Sequence, residues 1–168
     1  HKPQQLSPEE AKRRQVFYQK MAYIEMEEAT PQTPARMKVL VACEYSGVVR
    51  DAFTKRGHDA TSCDFLPSDS PNGKHYQGNM FDLIWPHNVY DWDLIIAHPP
   101  CTHLSVSGAS RWAEKVADGR QPAAIKFVER IWDLHESSGV KLCIENPVGA
   151  LSSRSKLGKA TQYVQPYM

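Results

Sequence analysis

From Met37 onward, short β-branched apolar runs alternate with amphipathic stretches of helical period, and this alternation constrains the fold more than any other feature. "MKVLVAC" (37–43) reads as a buried strand, "GVVRDAFTKRG" (47–57) as an amphipathic helix stopped by Gly57, and "HDATSCD" (58–64) as a second strand. "DLIIA" (93–97) is the strongest strand signal in the chain. Further on, "PAAIKFVERIWDLHESSG" (122–139) repeats apolar residues at helical spacing up to Gly139, and "VKLCIENP" is a strand closed by proline. A strand that rejoins its sheet through a helix runs parallel to its predecessor by a right-handed crossover. The order therefore predicts an α/β fold, a Rossmann-like, doubly wound and mostly parallel sheet. Ligands of such sheets sit at the carboxyl ends of strands. The polar residues that follow the apolar runs, Glu44, Asp64, Asn79, Cys101 and Glu145, are thus candidates for one shared site.

The segment before Met37 has a different character. "SPEEAKRRQVFYQKMAYIEMEE" (7–28) predicts a helix, with Ser7 as N-cap, Pro8 in the first helical position and Glu10 completing a capping box. "ATPQTPAR" (29–36) follows as a linker, so residues 1–36 read as an N-terminal extension and 37–168 as the main domain. A chain of 168 residues has room for one good core and excludes a large two-domain enzyme. Its formal net charge of +1 gives no bulk attraction to a polyanion, so nucleic-acid binding must be argued from a site. No apolar run approaches the length of a membrane span and no secretory signal is legible, which points to the cytoplasm. The start at His1 and the ending "QYVQPYM" suggest a piece of a longer protein.

Four cysteines, Cys43, Cys63, Cys101 and Cys143, lie too far apart for a zinc ribbon or a compact disulfide framework and read as reduced thiols. Cys101 differs from the others because Pro99 and Pro100 stiffen the turn that presents it at a strand end. A buried thiol is the plain reading of most free cysteines; a nucleophile is the other. His98, Cys101 and His103 also form an H-x2-C-x-H cluster, but it lacks a clear fourth ligand and the zinc deaminase pattern, so no metal is expected. In "ACEYSGVVRDAF", Ser46 and Gly47 form a tight turn into a helix whose amides can face a ligand. Asp64 closes the next strand, where a carboxylate can accept hydrogen bonds from both hydroxyls of a ribose; a solvated loop aspartate is the alternative. Glu145 ends a buried strand in "LCIENPV", where a carboxylate is costly unless paired or used. Arg111, Arg120 and Arg154 are available for phosphate contacts.

Taken in order, "PPC" and then "ENPV", preceded by the glycine turn and the acidic strand end, resemble the DNA cytosine-5 methyltransferases, most of all the short phage- and prophage-type members. The similarity runs from about Met37 to the C-terminus. It implies the class I S-adenosylmethionine-dependent methyltransferase fold, S-adenosylmethionine as cofactor and DNA as partner, in a bacterial or phage-infected cell. By this resemblance Cys101 would be the nucleophile that adds to C6 of cytosine, with Pro100 shaping its loop. Glu145 would hydrogen-bond the ring nitrogen and exocyclic amine, and Asn146 would brace the two loops. Cys43, Glu44, Ser46, Gly47 and Pro99 would approach the cofactor, Asp64 its ribose, and Asn79 its adenine side. The N-terminal helix would pack where the family's C-terminal cofactor-contacting helix lies. The chain departs from the family at Thr102, where glutamine is usual, at His98, where a small residue is usual, and at Asn79, which often is aspartate. Two other readings stay open: a non-catalytic nucleotide-, cofactor- or DNA-binding module, and another pyrimidine C5-modifying enzyme.

Overall fold

The computed structural model describes residues 35–84 and 88–164. The chain divides between Ala35 and Arg36, and the helix expected over 7–28, with its packing, lies outside the described residues. Five strands, β1 (Lys38–Ala42), β2 (Asp59–Asp64), β3 (Lys74–Gln77), β4 (Leu94–Ala97) and β5 (Lys141–Ile144), form one all-parallel sheet in the order β3-β2-β1-β4-β5. The helices are α1 (Val48–Lys55), α2 (Met80–Ile84), α3 (Trp112–Ala117), α4 (Arg120–Ser138) and α5 (Leu151–Arg154). Among the described residues no helix is long and apolar enough to cross a membrane.

β1 lies in the centre of the sheet, and its apolar residues are buried on both faces. Leu40 and Ala42 join the cluster built with Met80, Phe81 and Ile84 of α2 and Ile131 and Leu134 of α4. Val39 and Val41 join the opposite cluster, against which Val49 and Phe53 of α1 pack. Burying each such aliphatic side chain contributes about 1.5–3 kcal/mol, and the alternation along the strand sends that gain to helices on both sides. The chain steps outward from β1 through β2 to β3, then returns to the other side of β1 as β4 and continues to β5. The strand order reverses between β1 and β4, and a reversal of this kind opens the place where loops diverge and ligands enter.

Behind the loops that follow β1 and β2 sits a buried cation. Arg50 of α1 is fully buried; its Nε donates to Asp51 Oδ1 at 2.8 Å, Nη1 to Ser62 Oγ at 3.0 Å and to Ser68 Oγ at 3.2 Å, and Nη2 to the Ser70 carbonyl at 3.1 Å. Asp51 spends its other oxygen on the Ser70 hydroxyl at 2.6 Å. One guanidinium thus ties α1 to β2 and to the loop that follows β2, and among the described residues its charge is matched by a single partly exposed carboxylate. A Cβ on Gly47 or on Gly73 would collide with that guanidinium, so glycine at these positions leaves room for it.

The hydrogen bonds from Arg50 and Ser70 hold the Asp51 carboxyl below the usual carboxylate range. A depressed native-state value stabilises the fold above the unfolded-state value and loses that contribution as pH falls through the native one. Asp51→Asn should therefore lower the midpoint of urea unfolding at pH 7, and the gap from the parent protein should narrow as the pH drops into the acid range. A gap that stayed constant with pH would assign the loss to packing instead.

Candidate active site

The parallel sheet delivers the carboxyl ends of its strands to one edge, and the polar residues picked out by sequence stand there in strand order. Asp64 ends β2, Glu44 follows β1, Cys101 follows β4 and Glu145 follows β5. At about 4.8 Å per strand, the row from β2 to β5 spans roughly 14 Å. That is room for an extended ligand.

The loops of Cys101 and Glu145 are laced together. Ala97 and Ile144 are register partners in β4 and β5, and the Glu145 amide donates to the Ala97 carbonyl at 3.0 Å, which carries the pairing one residue past the strands. Asn146 Nδ2 donates to the Pro99 carbonyl at 2.8 Å. Further out, the Val106 amide donates to the Val148 carbonyl at 2.9 Å and the Ala150 amide to the Leu104 carbonyl at 2.7 Å, around an antiparallel bridge between Ser105 and Gly149. The Cys101 carbonyl accepts from both Leu104 and Ser105 at 2.9 Å, closing the turn on which the thiol stands. Pro99 is buried beneath it, while Pro100 and Cys101 are exposed.

Two buried side chains support this turn from below. Lys115 of α3 donates from Nζ to the Thr102 carbonyl at 2.7 Å, and Gln121 of α4 donates from Nε2 to the His103 carbonyl at 3.0 Å. Gln121 in turn accepts from Arg154 Nη1 at 2.7 Å, and the Arg154 guanidinium lies 5.1 Å from the centre of the Trp112 ring. Sequence alone gave no sign of these roles, because a lysine and a glutamine on polar helices look solvated. Of the arginines singled out for phosphate, Arg120 is engaged by Glu114 and Asp118 and Arg154 by Gln121, whereas Arg111 is exposed.

On the β1 side the chain leaves the strand through Cys43, whose φ of 58° is the left-handed conformation that residues with a Cβ rarely adopt. This turn directs Glu44 inward, to 7% exposure. Glu44 Oε1 accepts from the Ser46 hydroxyl at 2.6 Å and from the Val49 amide at 3.2 Å. Its Oε2 is buried with no partner among the described residues. Asp64 uses Oδ1 to accept from the Leu66 amide at 2.9 Å, and beside it Phe65 is exposed to 72%. Sequence reasoning passed over Phe65, although an aromatic residue directly after an acidic strand end was the available signal. Asn79 acts as a cap: its Oδ1 accepts from the Phe81 amide at the start of α2, at 3.1 Å.

Burial sorts the thiols. Desolvation, with the Asp64 charge adding to it, pushes Cys43 up to about 11, and desolvation, with Cys43 and Asp64 adding to it, pushes Cys63 up to about 12. Both stay protonated at neutral pH and are poor nucleophiles. Cys101 and Cys143 are exposed. Among the described residues no three His, Cys, Asp or Glu side chains converge as a metal site would need. His98 instead points its Nδ1 at Glu145 Oε2, at 3.3 Å.

Two distributions mark this edge. The buried side-chain polar atoms that lack a partner among the described residues are Glu44 Oε2, His98 Nε2, His103 Nδ1, Trp112 Nε1 and Asn146 Oδ1. Those of Glu44, His98, His103 and Asn146 lie in segments leaving the carboxyl ends of β1, β4 and β5 while that of Trp112 opens α3, and each such orphan costs about 1–3 kcal/mol unless something meets it. Of the exposed large apolar side chains among the described residues, Tyr45, Phe65, Leu66, Val106 and Val148 lie in segments that follow the carboxyl ends of β1, β2, β4 and β5 and Val48 opens α1, whereas Tyr90, Val116, Tyr163 and Val164 lie elsewhere. Unmet polar atoms beside exposed apolar side chains are features of a ligand-binding edge. No family model, curated protein or solved structure matches the chain.

The lacing carries a prediction of its own. A Cβ on Gly149 would collide with the Leu104 carbonyl, so Gly149→Ala should force the two loops apart and cost about 1–3 kcal/mol in urea unfolding. It should also change the rate at which a thiol reagent modifies Cys101. Unaltered stability and labelling would mean that the close approach does not hold the loops.

Proposed function

We propose that this chain is an S-adenosylmethionine-dependent methyltransferase of the class I fold that methylates C5 of cytosine in DNA. The observation that supports this most is the lacing of the Cys101 and Glu145 loops through Asn146 and Pro99, which holds an exposed thiol and an exposed carboxylate on adjacent strand ends. A cytosine C5 is a weak nucleophile until another group adds at C6. In the proposed reaction the Cys101 thiolate forms the C6–S bond and pushes an electron pair toward C5. Glu145, sharing a proton with the ring nitrogen and accepting from the exocyclic amine, steadies the charge that develops on the pyrimidine. After methylation a base removes the C5 proton, the C5–C6 double bond re-forms, and the Cys101 thiolate leaves. In duplex DNA the base must first swing out of the stack.

The residues beside β1 and β2 fit the cofactor. Glu44 Oε2 is a buried carboxylate oxygen that wants a donor, and the ammonium of the cofactor's amino-acid end is one. Asp64 keeps one oxygen clear of its own loop for a ribose, and Phe65 offers a face to the adenine. Ser46 and Gly47 shape the turn, with Gly47 at φ 77°. When bound, the cofactor would supply an electrophilic methyl group to C5, its S–CH3 bond breaking to leave S-adenosylhomocysteine. Asn79 serves the adenine side only through its amide nitrogen, since its oxygen caps α2.

Two measurements test this reading. Incubation with methyl-labelled S-adenosylmethionine and cytosine-containing DNA, duplex or single-stranded, should yield 5-methylcytosine by mass spectrometry. Cys101→Ser should bring the yield below detection, and an unchanged yield would remove Cys101 from the chemistry. In calorimetry, S-adenosylhomocysteine should bind the parent protein, and Asp64→Ala should weaken it by about 10- to 100-fold, the worth of hydrogen bonds to a charged group. Equal affinity would defeat the ribose assignment. Cofactor binding without methyl transfer would favour a non-catalytic module.

A further inference from the structure

We propose that His98 is the positioning residue for Glu145, holding its carboxylate by a hydrogen bond from Nδ1–H. This inference rests on Glu145 meeting the base, as proposed above. The Glu145 side chain is 63% exposed, and its hydrogen bond to His98 is the one it makes among the described residues. Fixing a glutamate so exposed costs rotamer freedom, so without His98 the carboxylate would sample several directions.

Backbone geometry explains why histidine reaches it. β4 and β5 are in parallel register at Ala97 and Ile144. His98 and Glu145 are the next residues on each strand, tied down by backbone amides that donate hydrogen bonds to the Ala42 and Ala97 carbonyls respectively, both at 3.0 Å. The two side chains therefore start from neighbouring anchored positions, and Nδ1 comes to 3.3 Å from Oε2. Oε1 stays open for a ligand.

The other ring nitrogen fixes the form of the donor. His98 Nε2 is buried and has no partner among the described residues. A proton there would be a buried donor with nothing to receive it, a greater cost than a bare acceptor beside a carboxylate that needs the opposite nitrogen protonated. The neutral ring with its proton on Nδ1 satisfies both conditions. His98 touches neither C6 nor C5 in this scheme and acts through Glu145.

Two experiments test the assignment, and the first does not depend on activity. In long-range proton–nitrogen NMR spectra of histidine-labelled protein, taken where the ring is neutral, His98 should be the Nδ1–H tautomer, and Glu145→Ala should shift it toward Nε2–H. An Nε2–H ring in the parent protein, or an identical spectrum in Glu145→Ala, would overturn the proposal whatever reaction the protein performs. In the methyl-transfer assay, His98→Phe should lower kcat by about 10- to 100-fold while KM for DNA stays within about twofold. His98→Asn, whose amide nitrogen stands near the Nδ1 position, should keep kcat within about threefold of the parent. Equal loss in both variants would make His98 a packing residue. If no methyl transfer is found in the parent protein, the reaction assignment fails while the tautomer result still decides the His98–Glu145 bond.

Discussion

Because β1 pairs in parallel with β2 on one side and β4 on the other, the chain must leave all three strands at the same edge, and β5 adds a fourth exit beside β4. Every polar residue of the proposed site is placed by that constraint. Local devices then fix the fine position: the left-handed turn at Cys43 sends Glu44 inward, the two prolines lift Cys101, and the register past Ala97 and Ile144 sets His98 beside Glu145. An antiparallel strand anywhere between β2 and β5 would have sent one of these groups to the opposite edge.

The two halves of the edge are stiffened in different ways. On the β4–β5 side, main-chain hydrogen bonds join two loops directly, and Lys115 and Gln121 hold carbonyls of the Cys101 turn from beneath. On the β1–β2 side the buried Arg50 gathers Asp51, three serines and the loop after Asp64. Removing one member of such a network leaves buried groups without partners and costs more than the bond itself. Cys43 and Cys63 lie inside this frame as inert thiols, and Cys101 stands outside it on an exposed turn.

Apolar periodicity was enough to read β1, β4 and β5 from sequence, along with α1 and α4, because their packed faces are written in Val, Leu, Ile and Phe, whereas β2 was read from the short run "DATSCD", which buries only the small residues Ala60, Ser62 and Cys63. β3 was not legible: "KHYQ" is a polar strand at the sheet's edge, held by its backbone pairing with β2 and by His75 bonded to Ser62. Cys101 and Glu145 could be picked out because each is a chemically potent group placed where an apolar run stops. The role of Arg50 is hidden in the sequence, since its partners at Ser62, Ser68 and Ser70 are remote along the chain. The contact of His98 with Glu145 was hidden for the same reason, being a product of strand register. Asn79 shows the reverse case, a residue marked for ligand contact whose oxygen is used to start a helix.

The central claim is that Cys101, among the thiols, forms a bond to the pyrimidine. A cytosine carrying fluorine at C5 lets the thiolate add and the methyl group transfer, but cannot release a proton from C5, so the covalent complex persists. Incubation of the protein with an oligonucleotide containing 5-fluorocytosine and S-adenosylmethionine, followed by denaturing mass measurement and peptide mapping, reads this directly. The account predicts one oligonucleotide per chain, attached at Cys101. No adduct, or an adduct on Cys143, would contradict it.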